Sequence, residues 1–399
     1  MIGMELPEKM LQLKANMQSI AKDLFRPIAI KYDEAEHEYP KELEVLRRTQ
    51  SRVRRPQKKD NEKEKGDRPK EEGLGRRMRE AISIEELAWG DVGLMMSIPN
   101  AAPGNPALIA LASDKQLERF GNKWTAFSIT EPGTGSDSGS ISTTAKLDGD
   151  EWVLNGEKIF VTAADRCDNA IIWATVDSKA GKAGVKSFVI EKGTPGFELA
   201  KLEKKMGLRA SDTGSFTLTD CRIPRDNILG SAEVKKRSTE GFKGVMKSFD
   251  NVRPAVGIMA TGISRAAVDF TREKMEENGF VLDYSKNVNN VSSKEKEFYL
   301  MEATVDVMRL LSWRAFWMAD NGMPNSLEAS MCKAKGGRSA TIITQKCCEI
   351  IGPLAFSQNE LAEKWMRDAK VLDIFEGTGQ IQHLIIARHI LGLSSNELI

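Results

Sequence analysis

Glu376 is a candidate general base near the C-terminal end of the chain. It lies in the segment Asp373-Ile-Phe-Glu-Gly-Thr-Gly-Gln-Ile-Gln382, where apolar residues precede it and Gly377 follows it. Apolar neighbours exclude water from a carboxylate, so its pKa rises toward the pH at which a base works. Gly377 allows the backbone to approach a ligand closely. Taken alone, Glu-Gly-Thr is also compatible with an ordinary turn at the start of a helix.

The glycine-containing segment Phe127-Ser-Ile-Thr-Glu-Pro-Gly-Thr-Gly-Ser-Asp137 is a candidate ligand-binding loop. Gly133 and Gly135 allow a flat or phosphorylated ligand to approach the backbone. The spacing does not fit a dinucleotide-binding fingerprint, because the third glycine is misplaced and residues 137–150 have the pattern of loop and strand rather than helix. A glycine turn within a β domain is the alternative interpretation.

The composition is typical of a globular protein and argues against several functional classes. The 399 residues are 41% hydrophobic and 29% charged, with a formal net charge of +1. This balance favours neither nucleic acid nor a membrane surface as a partner. No apolar run is long enough to cross a bilayer, and the first residues carry acids where a signal peptide carries bases, so we expect a cytoplasmic protein. The spacing of cysteine and histidine predicts no metal site.

Hydrophobic periodicity predicts an α+β multidomain protein. Apolar residues recur every three or four positions in residues 4–46 and 81–120, change to a period near two from Trp124, and return to the helical period from residue 239. The predicted domains are an N-terminal helical domain over 1–123, a middle antiparallel β-barrel or sandwich domain over 124–238, and a C-terminal four-helix bundle over 239–399.

Asn155-Gly156 is the strongest turn signal of the predicted β domain. This dipeptide favours the two-residue turns that join antiparallel strands. The residues on either side, Trp152-Val-Leu154 and Lys158-Ile-Phe-Val161, have the pattern of strands. The sequence therefore predicts a hairpin with its turn at these two residues.

Residues 47–80 form a charged stretch that is almost devoid of apolar side chains. Such a stretch cannot bury enough surface to offset the entropy lost on ordering, so we predict a solvated, mobile loop. An electrostatic arm for the phosphates of a ligand or of nucleic acid is the alternative. The interspersed acids and the absence of aromatic residues argue against that alternative.

Several tracts, in one order along the chain, resemble the acyl-CoA dehydrogenase family. The segment Phe127–Asp137 resembles the family's flavin-binding signature, and the Glu376 segment resembles its catalytic segment. The further matching tracts are Leu154–Thr162, Lys204–Thr213, Arg222–Gly230, Gly241–Arg253 and Trp365–Lys370. The resemblance implies dehydrogenation of an acyl-CoA thioester to the trans-2-enoyl-CoA. In that reaction Glu376 takes the α-proton and FAD accepts the β-hydride.

The resemblance also assigns individual binding residues. The positions that match FAD contacts are Phe127, Ile129, Thr130, Gly135, Ser136, Phe160, Val161, Thr162, Phe280, Glu349, Gly352, Thr378 and Gln380. The positions that match acyl-CoA contacts are Ser136, Asp250, Arg253 and Gly377. The backbone N–H of Glu376 is expected to help hold the thioester oxygen.

Three positions depart from the family pattern. Glu277 stands three residues before Phe280, where many members have an arginine that reaches the FAD pyrophosphate of a neighbouring subunit. Glu349 begins a tract that ends in Gly352-Pro353, where the family pattern is Gln-x-x-Gly-Gly. Phe160 replaces the usual tryptophan beside the flavin. These departures bear on the affinity for FAD and leave the base in place.

The resemblance implies an acyl-CoA substrate, an electron-transfer flavoprotein as electron acceptor, and a homotetramer. Two other functions stay open on the same fold. One is a flavin monooxygenase or oxidase, and Glu376 argues against it because such relatives usually lack the glutamate. The other is a non-catalytic protein that binds nucleic acid through the charged stretch, and its interspersed acids argue against that function.

Overall fold

The computed structural model describes residues 6–46, 75–99, 104–234, 240–393 and 397. These residues form two compact units. The helical unit comprises the described residues within 1–29, 40–99 and 254–373, and the sheet unit comprises those within 30–39, 100–253 and 374–399. Each unit therefore combines segments that are distant in sequence. The limits of the three consecutive domains stay a prediction.

The α-helices follow the helical periodicity of the sequence. In chain order they are α1 (Glu8–Ile20), α2 (Arg26–Glu34), α3 (Arg76–Gly90), α4 (Val92–Met96), α5 (Gly104–Leu111), α6 (Asp114–Phe120), α7 (Glu240–Glu277), α8 (Ser293–Asp320), α9 (Ser326–Ile351), α10 (Ala362–Ala369) and α11 (Gly379–Leu391). A π-helical turn, Ala21–Phe25, joins α1 to α2.

Close packing between long helices builds the helical unit. Helix α8 packs against α9 and α3, and α3 packs against α1. Gly257 of α7 allows a close helix crossing, because a Cβ at this position would lie 2.9 Å from Ser312 Oγ and 3.1 Å from Cys332 Sγ. Ser292 and Glu295 cap the start of α8 reciprocally. The predicted N-terminal and C-terminal helical regions are confirmed.

Helix α3 begins inside the charged stretch that the sequence predicts as a loop. Residues 47–74 of that stretch lie outside the described residues, whereas 76–80 are helical. The backbone N–H groups of Arg77 and Met78 donate to the carboxylate of Asp320 at 2.8 and 3.0 Å, and the Met78 side chain is buried. The loop prediction was wrong for residues 76–80, because a carboxylate from a distant part of the chain caps this helix.

The sheet unit is built around one eight-stranded sheet. Its strands are β1 (Thr125–Ser128), β2 (Thr144–Asp148), β3 (Glu151–Thr162), β4 (Asn169–Thr175), β5 (Val185–Glu191), β6 (Phe197–Leu202), β7 (Thr213–Pro224) and β8 (Ile228–Leu229). The order is β6-β7-β3-β2-β4-β5-β8, with β1 paired to β4. Strand β4 runs parallel to β1 and β2, and the remaining pairs are antiparallel. The predicted middle β domain is confirmed.

The sheet curves around a single interior. Buried side chains from β1 to β7 meet in one hydrophobic cluster. Trp152 of β3 and Phe188 of β5 lie with ring centroids 5.2 Å apart. These two strands are not neighbours in the sheet, so the contact requires strong curvature. On the outer face, Trp173 and Val189 pack against Leu108 of α5 and Phe120 of α6.

The hairpin turn predicted at Asn155-Gly156 lies within a continuous strand. Strand β3 runs through both residues, and the turn before it falls at Gly149-Asp150. The Asn155 side chain exchanges two hydrogen bonds with Asp220 of the neighbouring strand. A Cβ at Gly156 would lie 2.5 Å from Thr143 Oγ1. The turn prediction was wrong because cross-strand packing, rather than a chain reversal, requires these two residue types.

Candidate active site

The segment that follows β1 is a tight turn with an open edge. Glu131 and Thr134 exchange backbone hydrogen bonds of 2.9 and 3.1 Å around Pro132-Gly133. Neither Gly133 nor Gly135 has a positive φ, and a Cβ at either would meet no described atom within 4 Å. Packing within the described chain therefore does not require these two glycines, which is consistent with a ligand that approaches this edge.

A buried ion pair holds this turn against β3. The Nζ of Lys158 donates to Oε1 of Glu131 at 2.7 Å and to the carbonyl of Ile129 at 3.3 Å. The Glu131 carboxylate also accepts from the N–H and Oγ of Ser142, both at 2.6 Å, and from the N–H of Thr143 at 3.0 Å. Glu131 is 3% exposed and Lys158 is 0% exposed. The pair thus fixes the segment from both sides.

Both members of this pair are charged at neutral pH. Burial acts to raise the pKa of Glu131, but the Lys158 ammonium and the hydrogen bonds from Ser142 and Thr143 outweigh it and lower the pKa to about 2. Burial lowers the pKa of Lys158 to about 8, and Glu131 opposes that decrease. A buried charge is stable only when it is paired and hydrogen-bonded, as both groups are.

Phe160 projects from β3 in a conformation that is rare for its residue type. Its φ is +57°, and its side chain is 63% exposed. The pairing of β3 with β7 is irregular between Lys158 and Val161, so a bulge places Phe160 outward. The N–H of Ile159 donates to the Thr130 carbonyl at 2.9 Å and brings the two predicted flavin-binding segments together. Val161 is buried in the hydrophobic interior of the sheet unit.

The remaining predicted residues of these two segments surround the same edge. Phe127, Ile129, Thr130 and Thr162 are half-buried, whereas Gly135 and Ser136 are exposed. Phe127 packs against Trp173 with ring centroids 6.1 Å apart. The arrangement therefore offers an apolar base, short hydroxyl groups and one exposed aromatic ring.

Glu376 lies in a left-handed turn immediately before α11. Its φ is +57° and that of Gly377 is +89°. The Glu376 side chain is half-buried, and Thr378 caps α11 by accepting from the N–H of Ile381 at 3.4 Å. Two successive residues with positive φ reverse the chain sharply, and only the glycine adopts this conformation without strain. Strained non-glycine residues are concentrated at functional sites.

Gln382 supports this turn and was not assigned a role from the sequence. It is 0% exposed, and its Nε2 donates to the carbonyls of Gly377 at 3.0 Å and Glu376 at 3.4 Å. Gln380, two residues earlier, is exposed. Both glutamines belong to the same Gly-Gln-Ile-Gln tract of the sequence. Their surroundings differ because residues two positions apart lie on different faces of a helix.

The other predicted site residues differ in their exposure and lie in both units. Arg253 is 4% exposed, whereas the side chain of Asp250 lies outside the described part of the chain. In the helical unit, Phe280 is half-buried and Gly352 ends α9 with φ +73°. The two acids that depart from the family pattern each pair with a lysine on their own helix. These pairs are Glu277 with Lys274 at 3.0 Å and Glu349 with Lys346 at 2.7 Å.

Neither a metal site nor a membrane-spanning helix is found in the described residues. No group of three or more His, Cys, Asp or Glu side chains is arranged to hold a metal ion there. Within the same ranges, no helix has the length and apolar character needed to cross a membrane.

Comparisons with known proteins agree with the resemblance carried by the sequence tracts. Residues 126–221 match the acyl-CoA dehydrogenase middle domain, and residues 239–391 match the acyl-CoA dehydrogenase C-terminal domain. The chain is 32% identical to the mitochondrial short-chain specific acyl-CoA dehydrogenase of Rattus norvegicus over 398 residues, which cover 98% of this chain and 92% of the relative. It is 32% identical to a subunit of the caffeyl-CoA reductase–Etf complex of Acetobacterium woodii over 329 residues, 79% of this chain and 83% of the relative.

A solved structure shows the same fold. Butyryl-CoA dehydrogenase from Megasphaera elsdenii superimposes with a TM-score of 0.84 at 25% identity, covering 98% of this chain and 100% of the other. Its similarity extends across helical and sheet regions alike. The chain therefore belongs to the acyl-CoA dehydrogenase family, a family of FAD-dependent oxidoreductases.

Proposed function

We propose that this chain catalyses the FAD-dependent α,β-dehydrogenation of a short-chain acyl-CoA to the trans-2-enoyl-CoA, with Glu376 as the base. The observation that carries the proposal is the left-handed Glu376 at the sharp turn before α11. The choice of a short acyl chain is supported by the similarity to the rat short-chain specific acyl-CoA dehydrogenase.

The chemistry required of the protein is the removal of one proton at a fixed place. A thioester acidifies its α C–H, so a carboxylate held beside that carbon can remove the proton. The backbone N–H of Glu376 would donate to the thioester oxygen and stabilise the charge that develops on it. A positioned base contributes about 10²–10⁴ to the rate. FAD, when bound, supplies the acceptor for the β-hydride.

The described residues fit FAD at the open edge of the sheet unit. A flat ring system needs a surface without side chains, an aromatic neighbour and a few polar atoms. Gly133 and Gly135 provide a surface without side chains, and Phe160 provides the aromatic neighbour. The hydroxyls of Thr130 and Ser136 provide the polar atoms. The other residues that we assign to the cofactor are Phe127, Ile129, Val161, Thr162, Phe280, Glu349, Gly352, Thr378 and Gln380.

An electron-transfer flavoprotein is the proposed electron acceptor. The relative from Acetobacterium woodii is a subunit of a complex with such a protein, which supports this choice. We also propose a homotetramer in the cytoplasm. Gly377, Ser136, Asp250 and Arg253 are the proposed contacts of the acyl-CoA.

The Glu376→Gln variant tests the proposal. We expect the purified protein to keep its flavin absorption, whereas its anaerobic bleaching by butyryl-CoA slows by about 10²–10⁴-fold, because an amide cannot accept the α-proton. Asp373→Asn is the matched control, since it removes a half-buried carboxylate three residues earlier. Its rate should stay close to that of the unmodified protein. Full activity of Glu376→Gln would refute Glu376 as the base.

A further inference from the structure

We propose that Gln382 is a positioning residue for the base. Its amide fixes the two peptide planes that follow the Cα of Glu376, and through them the direction of the Glu376 carboxylate. This inference rests on the proposed function and deepens it. Gln382 itself does not contact the substrate in this proposal.

The position of the Gln382 side chain supports this role. Gln382 lies one turn into α11, and its Nε2 faces back toward the start of that helix. There it donates to two successive carbonyls, those of Glu376 and Gly377. A peptide plane whose carbonyl is held cannot rotate, so both planes that follow the Cα of Glu376 are fixed. Their orientation determines ψ of Glu376 and both torsions of Gly377.

The residue type at Gly377 is explained by the same contact. A Cβ at this position would lie 2.6 Å from Nε2 of Gln382, and the next described atoms would be 3.9 Å away. The amide nitrogen therefore occupies the space that a side chain would need. Two features therefore favour glycine at this position: the φ of +89° and the space taken by the Gln382 amide.

The acceptor half of the same amide argues against a role in packing alone. Oε1 of Gln382 is buried and has no hydrogen-bond partner among the described residues. An unsatisfied buried polar atom lowers stability. An apolar side chain of equal length would avoid this cost, so packing does not account for a glutamine here. The N–H donors are the part of the side chain that the turn uses.

The test compares Gln382→Met with the control His383→Met. Methionine has nearly the length of glutamine and no N–H donor, and His383 is the exposed next residue of the same helix. The substrate is 3,3-dimethylbutyryl-CoA, which has α-hydrogens but no β-hydrogen. Its α-hydrogen exchange in deuterated water, followed by mass spectrometry, reports proton removal without hydride transfer. Flavin content, melting temperature, and kcat and KM with butyryl-CoA are measured in parallel.

We expect Gln382→Met to keep its flavin and its KM. Its kcat and its exchange rate should both fall about 10- to 100-fold, because a displacement of about 1 Å at a reacting group has an effect of this order. His383→Met should exchange at the rate of the unmodified protein. Exchange at that rate by a folded Gln382→Met protein would overturn the inference and leave Glu376 as the base.

A pair of coupled variants keeps the test decisive if Gln382→Met does not fold. Gly377→Ala introduces a Cβ that meets Nε2, and this contact is absent in the background Gln382→Ala. The double variant should therefore exchange faster than the product of the two single effects predicts. A purely multiplicative result would overturn the inference. Exchange by Glu376→Gln at the unmodified rate would instead overturn the proposed function, and the inference with it.

Discussion

Phe160 and Glu376 share a backbone conformation but are supported by opposite kinds of chemistry. Both have φ near +57°, at a cost of about 1–3 kcal/mol for a non-glycine residue. Beside Phe160, the support is the buried ion pair of Lys158 and Glu131. Beside Glu376, the support is the neutral amide of Gln382.

The difference determines what each support does when it is lost. Removal of one partner of a buried ion pair leaves an uncompensated charge inside the protein, so the whole sheet unit is destabilised. Removal of the amide leaves two carbonyls at a half-buried turn, where water can reach part of the backbone. The ion pair is therefore expected to couple the proposed flavin edge to global stability, whereas the amide is expected to couple the proposed base to catalysis.

Lys158→Met gives the largest effect and tests the first half of the comparison. Glu131 keeps its charge at neutral pH but loses its buried partner, so we expect the free energy of unfolding to fall by about 3–5 kcal/mol. Flavin should be lost on purification, because the Ile129–Glu131 backbone loses its anchor. Urea unfolding and the flavin spectrum measure both effects.

Lys146→Met is the matched control for that substitution. Lys146 is an exposed residue of β2, and its change should leave both the unfolding free energy and the flavin content unaltered. Glu131→Gln combined with Lys158→Met removes both charges and should recover part of the lost stability. A single Lys158→Met protein as stable as the control would refute the importance of the ion pair.

The pH dependence of unfolding gives the next effect in size. The pKa of Glu131 is about 2 in the folded protein, below its ordinary value of 4.5. Its stabilising contribution is therefore present above pH 4.5 and is lost as the pH falls toward 2. The contribution is about 3 kcal/mol, at about 1.4 kcal/mol per pH unit.

Urea unfolding of the unmodified protein and of Glu131→Gln, at pH values from 7 down to 2.5, measures this contribution. The gap in unfolding free energy between the two proteins should narrow across the acidic window. An equal gap at every pH would mean that the Glu131 carboxylate does not titrate in this range.

The sequence predicts which residues form the candidate site, whereas the contacts that hold those residues depend on tertiary geometry. The segments around Thr130 and Phe160 were identified from the order of residues along the chain alone. The pairing of Glu131 with Lys158 was not, because it depends on the register between a turn and a strand. The same dependence explains the wrong turn at Asn155, whose partner Asp220 lies on another strand.

Backbone strain is invisible in the sequence for the same reason. A phenylalanine in a strand gives no sign that a bulge will impose a positive φ, and only the pairing of β3 with β7 shows it. Likewise, Gln380 and Gln382 differ only in the direction that α11 gives them. Residue type and order predict which chemistry is available, whereas the folded geometry determines which residues support it.

Phe160→Gly gives the smallest effect and sharpens the comparison from the other side. Glycine adopts a positive φ without strain, and the Phe160 side chain is 63% exposed, so little packing is lost. We expect the flavin-free protein to gain up to about 1 kcal/mol in unfolding free energy, after the entropic cost of glycine is deducted. The affinity for FAD should fall, since the exposed ring is the proposed cover of the flavin.

Leu208→Gly is the contrasting control, because Leu208 also has a positive φ but is buried, so the same relief is outweighed by lost packing. A Phe160→Gly protein less stable than the unmodified one would show that this conformation serves the fold and not the flavin, and the parallel between Phe160 and Glu376 would fail.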